Sequence, residues 1–166
     1  MEIETEKVNK RKAESVKSPR GEGVNSLSEE KLEEIINFLK KSKLSSGEFK
    51  VTKTERPEGY WRCNLACTKD AKGNPKYPQV DLKALGIEKK QLIHLIWWRW
   101  ENNGALIDPD LHISHCDADH KVLHLVQESR DLNESRKYCH LFGWYKTKPG
   151  EERPRCPHWE HPCTGP

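Results

Sequence analysis

The sequence predicts an α+β fold held together by metal clamps, with a strand–strand–helix unit at its centre. Three observations lead there. The stretch from Leu111 to Cys139 (LHISHCDADHKVLHLVQESRDLNESRKYC) concentrates His112, His115, Cys116, His120, His124 and Cys139 in a pattern that reads strand, strand, helix. A second cluster of soft ligands, C-P-H-W-E-H-P-C, runs from Cys156 to Cys163. With 34% hydrophobic and 33% charged residues, the 166-residue chain has little apolar surface to bury. Small, poor cores usually need staples.

Residues 1–26 are polar, mixed in charge and low in aromatics, and read as a disordered arm. Within it Asn9-Lys10-Arg11-Lys12 is a short candidate for a nuclear import signal. The charged N-terminus predicts no secretory signal, and no apolar run approaches a membrane span. Both point to an intracellular, reducing compartment, with the nucleus as a candidate. There Cys63, Cys67, Cys116, Cys139, Cys156 and Cys163 favour metal over disulfide. Interleaved histidines favour it further, since a disulfide has no use for imidazole. The net charge of +3 permits nucleic acid as a partner without demanding it.

Residues 27–163 are expected to form one domain. Ser28 reads as an N-cap with Glu29 and Glu30 in the first turn, and Leu32, Ile35, Ile36 and Leu39 recur at helical spacing. From Gly59 the pattern turns to β. Tyr60–Leu65 reads as a strand, Asp70–Pro75 as a turn and Lys76–Leu82 as the returning strand. This 59–82 hairpin is edged by Arg62, Lys69, Lys72 and Lys76. It suits a DNA groove and equally a plain surface. Glu88–Asn102 reads as an apolar helix whose Trp97, Trp98 and Trp100 belong in the core, with Gly104 as its stop. Leu111–His115 and Val122–Gln127 read as paired strands around a tight Cys116–His120 connection. A helix follows from Ser129 or Asp131 to about Cys139, and beyond Phe142 an irregular tail is expected to be held by its ligands.

The ligand spacing gives two sets. Cys139, Cys156, His158 and Cys163 make a Cys3His set suited to a closed tetrahedral zinc, with His161 as an alternative to His158. Cys116, His120 and His124 recur at x3 spacing and need a fourth ligand, for which Cys63 or Cys67 is available. Such a site would tie the first hairpin to the second. His115, adjacent to Cys116, should point to the opposite face of its strand, together with Leu111 and Ile113, toward the following helix. On that helix Asn133 is a mediocre choice by propensity. A neutral imidazole facing a carboxamide is a sensible catalytic pair: the first can take a proton from water, and the second offers a hard oxygen to Mg²⁺.

This constellation resembles the His-Cys box homing endonucleases, a branch of the ββα-metal (His-Me finger) nucleases. The likeness runs from about Gly59 to Cys163 and is tightest over LHLVQESRDLNESRKYC. It implies a ββα-metal core with an additional β-hairpin and helices, stapled by two structural zinc sites. By that resemblance Cys63, Cys116, His120 and His124 hold the first zinc, while Cys139, Cys156, His158 and Cys163 hold the second. Asn133 would bind Mg²⁺ and His115 would be the general base. The implied activity is Mg²⁺-dependent hydrolysis of double-stranded DNA, leaving 5′-phosphate and 3′-hydroxyl ends. The sequence also departs from the family. Its S-H-x-C-x4-C-x4-H becomes Ser114-His115-Cys116-x3-His120-x3-His124, and an ungapped alignment places His112 where the base should be. C-x-H-x3-C gains one residue here. The family's phosphate-contacting arginine has no clear counterpart, Arg62 being merely nearby. Its dimerising C-terminal tail is not matched by Thr164-Gly165-Pro166, so a homodimer would need another surface.

Overall fold

The computed structural model describes residues 22–41, 43–44 and 47–166. The expected arm, Asn9–Lys12 included, lies outside the described residues as far as residue 21. Past that point the chain already belongs to the domain, contrary to a boundary at 27. The short helix α1 (Glu22–Asn25) buries Val24. The Asn25 carboxamide exchanges two 2.8 Å hydrogen bonds with the backbone of Ile107.

Helix α2 (Glu29–Lys41) forms as its pattern predicts. Ser28 Oγ accepts from the Lys31 N–H at 3.1 Å, and Leu32, Ile35, Ile36 and Leu39 are buried. Acidic residues open the helix and Lys40 and Lys41 close it, matching the helix dipole at both ends. Two short antiparallel pairs follow, β1 (Lys43–Leu44) with β2 (Gly47–Glu48), and β3 (Val51–Lys53) with β4 (Trp61–Cys63). Next come β5 (Thr68–Lys69) and β6 (Pro75–Lys76). Asp70 Oδ1 organises their turn, accepting from the N–H groups of Lys72 and Asn74 at 2.8 and 2.9 Å. Strand β7 (Gln79–Leu82) pairs with β8 (Ile87–Leu92) across a 3₁₀ turn that closes on Gly86, whose φ is +79°.

These pairings differ from the expected hairpin. The strand around Trp61 pairs upstream with Val51–Lys53, and the 76–82 segment splits between two partners. The predicted helix at 88–102 also divides. Glu88–Gln91 are good helix formers, but pairing with β7 draws Ile87–Leu92 into a strand, and tertiary contact overrides propensity. Helix α3 (Ile93–Glu101) keeps the apolar part, burying Ile93, Ile96, Trp97 and Trp98. It packs against α2, and one core cluster joins these helices to β7 and to Phe49, Cys63, Ile113 and Leu123.

The last unit is β9 (His112–His115), β10 (Leu125–Glu128) and α4 (Arg130–Phe142). The strands are antiparallel, with His112 opposite Glu128 and His115 opposite Leu125. Ser129 caps α4 by accepting from the Leu132 N–H, and Gly143 ends it in the left-handed conformation. Beyond α4 the tail is irregular. Thr164 returns it to the strand connection, accepting from the Ala118 N–H and donating its own N–H to Cys116. The chain is thus mixed helix and small antiparallel sheets, an α+β architecture. Among the described residues, no helix is long and apolar enough to cross a membrane.

Arg99, only 3% exposed, joins α1 to α3 through backbone carbonyls. Its guanidinium donates to the carbonyls of Val24 (2.6 Å), Leu27 (2.7 Å), Gly104 and Ala105 (3.0 Å). Gly104 must be glycine here, with φ at +76° and a Cβ that would lie 2.5 Å from Glu29 Cγ. Arg99→Met strands these carbonyls and should cost about 3 kcal/mol. Thermal denaturation followed by circular dichroism is expected to show a Tm lower by roughly 6–12 °C.

Candidate metal centre and adjoining groove

The tail is held by a compact set of soft ligands. One ligand atom from each of Cys139, Cys156, His158 and Cys163 lies within 4.8 Å of the others, and all four residues are buried. Cys139 comes from α4 and the other three from the tail, so the set clips the irregular segment beneath the helix. His158 Nδ1 lies 3.3 Å from Cys156 Sγ and 3.4 Å from Cys163 Sγ. Its other nitrogen, Nε2, is 2.6 Å from Ser135 Oγ on α4. That leaves Nδ1 as the ligand atom and gives the imidazole the outer partner that metal-bound histidines usually have. His161 is exposed and contributes only its carbonyl, to Arg136, which decides between the two candidate histidines.

Three sulfurs and one imidazole suit zinc by softness and geometry. Without a cation the thiols are poorly disposed to ionise together. Burial pushes Cys139 up and Cys163 up to about 11. For Cys156, burial is outweighed by hydrogen bonds from the backbone of Cys163 and His158, which leaves it lowered. Zinc would deprotonate all three outright. This part of the fold has no other core: the cluster of the three cysteines is joined by only the half-buried Trp144 and Tyr145.

The second expected set is not brought together. Among the described residues, the Cys3His group is the one cluster whose ligand atoms converge in this way. The His124 ring stacks on Tyr60 at 3.9 Å, and His120 stacks on His115 at 4.8 Å. Cys63 Sγ faces the carbonyl of Leu65, and burial pushes the Cys116 thiol up to about 12. Cys67 Sγ faces the Thr68 carbonyl. The connection that carries His120 is wound by its own aspartates. Asp117 accepts from the Asp119 N–H at 2.8 Å, and Asp119 from the Lys121 N–H at 3.0 Å. The link to β4 expected of a metal is made by other means. Cys63 N–H donates to Lys121 and Leu123 N–H to Trp61, and the Arg62 guanidinium bonds Asp119 at 3.1 and 3.2 Å. Arg62 is therefore occupied by a carboxylate.

A groove of about 480 Å³ lies between the β5–β6 hairpin and α4, lined by Lys69, Tyr77, His115, His120, Asn133 and Lys137 among others. His115 and Asn133 thus open onto one space. The facing argument from strand parity does not hold in detail, because Asn133 touches His112: its Nδ2 lies 3.0 Å from His112 Nδ1. The hairpin register explains this. His112 lies opposite Glu128, immediately before the helix, so the first turn of α4 passes over that end of the strand. His115 is 7% exposed, both of its ring nitrogens are buried, and its ring is nearly parallel to Tyr77 at 3°. Burial, then His94 and His120, hold its pKa well below the ordinary value, so it is neutral at pH 7. His94 is likewise pushed down to about 4, chiefly by burial. Lys69, Lys72 and Lys76 are all exposed on the hairpin.

Sequence reasoning missed Arg136. Its guanidinium makes two bonds to Glu128 (2.7 and 2.9 Å), one to the His161 carbonyl (2.8 Å) and one to Cys163 Sγ (3.3 Å). Both partners of the ion pair are almost fully buried. Burial alone would raise the Glu128 carboxyl, but bonding to Arg136 outweighs it and holds the pKa below the usual carboxylate range.

Fold and site define an α+β chain with a Cys3His cluster able to hold one zinc. Compared with protein-family models, curated proteins and solved structures, the sequence and fold find no match.

Elemental analysis of the purified chain should find one zinc per chain, the content of the Cys3His cluster. Cys156→Ser and His158→Ala are expected to lose it together with much of the thermal stability, whereas His161→Ala keeps both. The Glu128–Arg136 pair has its own signature. A carboxyl depressed in the folded state adds stability above its unfolded pKa of about 4.3, and that stability is lost as pH falls through the folded value. Glu128→Gln should cost about 3–5 kcal/mol near neutrality by stranding Arg136, and should flatten the acid side of the Tm–pH curve.

Proposed function

We propose that the chain is a Mg²⁺-dependent endodeoxyribonuclease with the β9–β10–α4 unit as its ββα-metal core. The observation that carries this reading is that His115 and Asn133, from different elements, line one groove flanked by Lys69 and Lys137. His115 is a neutral imidazole whose two ring nitrogens are buried at the wall of the groove, so it can take the proton from a water attacking a phosphodiester once its ring turns into that space. The bond from phosphorus to the 3′ oxygen then breaks, leaving 5′-phosphate and 3′-hydroxyl ends. Lys69 supplies positive charge beside the phosphate, Lys137 being paired with Glu134 at 2.9 Å, and the exposed two-stranded β5–β6 hairpin with Lys69, Lys72 and Lys76 suits a major groove.

The contact with His112 bears on which histidine is the base. If Asn133 turns its Nδ2 to His112 Nδ1, its Oδ1 is left for a cation, and His112 carries its proton on Nε2 with no lone pair to act as a base. Turning the amide over would free His112 as a base but present an N–H to the cation. One orientation therefore leaves Asn133 Oδ1 for a cation and removes His112 as a base. Mg²⁺ on Asn133 would offset charge on the phosphate and on the departing oxygen.

A second reading has one observation in its favour. Arg62, the nearest arginine to the family's phosphate contact, is paired with Asp119. That fits a zinc-stabilised DNA-binding module without activity. Incubation of supercoiled plasmid with the protein separates the two. Nicking is expected with Mg²⁺ and not with EDTA, and His115→Ala and Asn133→Ala should each lower it at least about 100-fold with DNA binding retained. His112→Ala should weaken Mg²⁺ dependence without abolishing the reaction. No nicking by the parent chain favours the binding module, and loss confined to His112→Ala makes His112 the base.

A further inference from the structure

A second cavity, of about 320 Å³, adjoins the groove and shares Tyr77 and Asn133 with it. We propose that it is a nucleobase subsite that takes the base of a nucleotide next to the scissile phosphate. The inference rests on the nuclease reading and narrows its substrate to a strand with one base out of the stack.

Three features favour this occupant. The volume is at the small end for ligand pockets, suited to a planar ring and too small for a larger cofactor. Its lining combines aromatic rings with apolar side chains: Tyr77 and His94, 4.7 Å apart, with Leu92, Leu95, Ile107 and Leu111. Aromatic faces hold bases of any sequence by stacking. The polar complement is sparse. His94 is 7% exposed, lines the cavity, and has a buried Nδ1 without a hydrogen-bond partner. A base edge supplies both donors and acceptors, so a small shift of that ring would satisfy it. The position is also right. Asn133 and Tyr77 belong to both spaces, so a nucleotide can place its phosphate in the groove and its base in the adjoining cavity. Enzymes that take a base into a pocket favour mismatched or single-stranded sites, where unstacking costs least.

The probe is 2-aminopurine 2′-deoxyriboside 5′-monophosphate, titrated with the full chain in Mg²⁺. Its fluorescence should be quenched saturably, with dAMP competing and 2-deoxyribose 5-phosphate failing to compete. Leu95→Trp and Leu111→Trp, each verified as folded by circular dichroism, fill the cavity from different elements and should weaken binding at least tenfold. Equal competition by the sugar phosphate, or unchanged binding in both folded variants, overturns the subsite. The plasmid assay keeps the two readings apart. Base binding without nicking preserves the subsite and removes the nuclease, while nicking without base binding removes the subsite alone.

Discussion

Arg136 is where the C-terminal half of the molecule is joined. Its side chain is nearly excluded from water, and each of its directions is claimed: Glu128 at the end of β10, the His161 carbonyl in the tail, and the sulfur of Cys163. A guanidinium in such a place is tolerable only with all these acceptors in position. The hairpin, helix α4 and the tail therefore cannot shift independently. The charge beside Cys163 also favours its thiolate, which couples the geometry of the ligand cluster to that of the strand pair. Ser135, one residue earlier, makes the corresponding bond to His158. Two consecutive helical residues orient two of the four ligands, which makes α4 the scaffold of the cluster as well as the carrier of Asn133.

The same helix lines the groove with Asn133, Lys137 and His140 and carries Cys139 to the cysteine cluster. Asn133 and Cys139 are six positions apart, so they belong to different turns and serve different ends of the helix. Ligation at Cys139 would fix the C-terminal part and so hold the N-terminal part against β9. The groove inherits its shape from this arrangement: its hairpin side carries the lysines, and its helix side carries Asn133 and Lys137. The imidazoles of His115 and His120 stack in the wall of the groove, with His94 tilted against His115 behind them, where charged groups would repel one another.

Much of this was legible in the sequence, for identifiable reasons. Helix α2 follows from a cap and a one-sided apolar stripe, both local signals. The Cys139, Cys156, His158 and Cys163 set follows from spacing, because few residues separate the ligands and the tail has little else to fold around. Long-range choices were less visible. The segment Ile87–Leu92 has helical composition and becomes a strand only because β7 is there to pair with it. The converging role of Cys63, Cys116, His120 and His124 relied on a connection whose conformation Asp117 and Asp119 determine, and neither aspartate stood out as a turn former. No local signal separates Arg136 from a basic surface residue. Nothing in its immediate neighbours says that a glutamate eight positions earlier will meet it in the interior.

Gathering three sulfurs at one point has a chemical corollary for the life of the protein. Thiols held this close are within reach of one another for oxidation, so an ion lost under oxidising stress leaves behind a pair ready to join. A bond between two of them would bar the ion's return until a reductant opened it. The clip that gives the tail its shape is thereby also its most perishable part, and handling under reducing conditions preserves the shape as well as the metal.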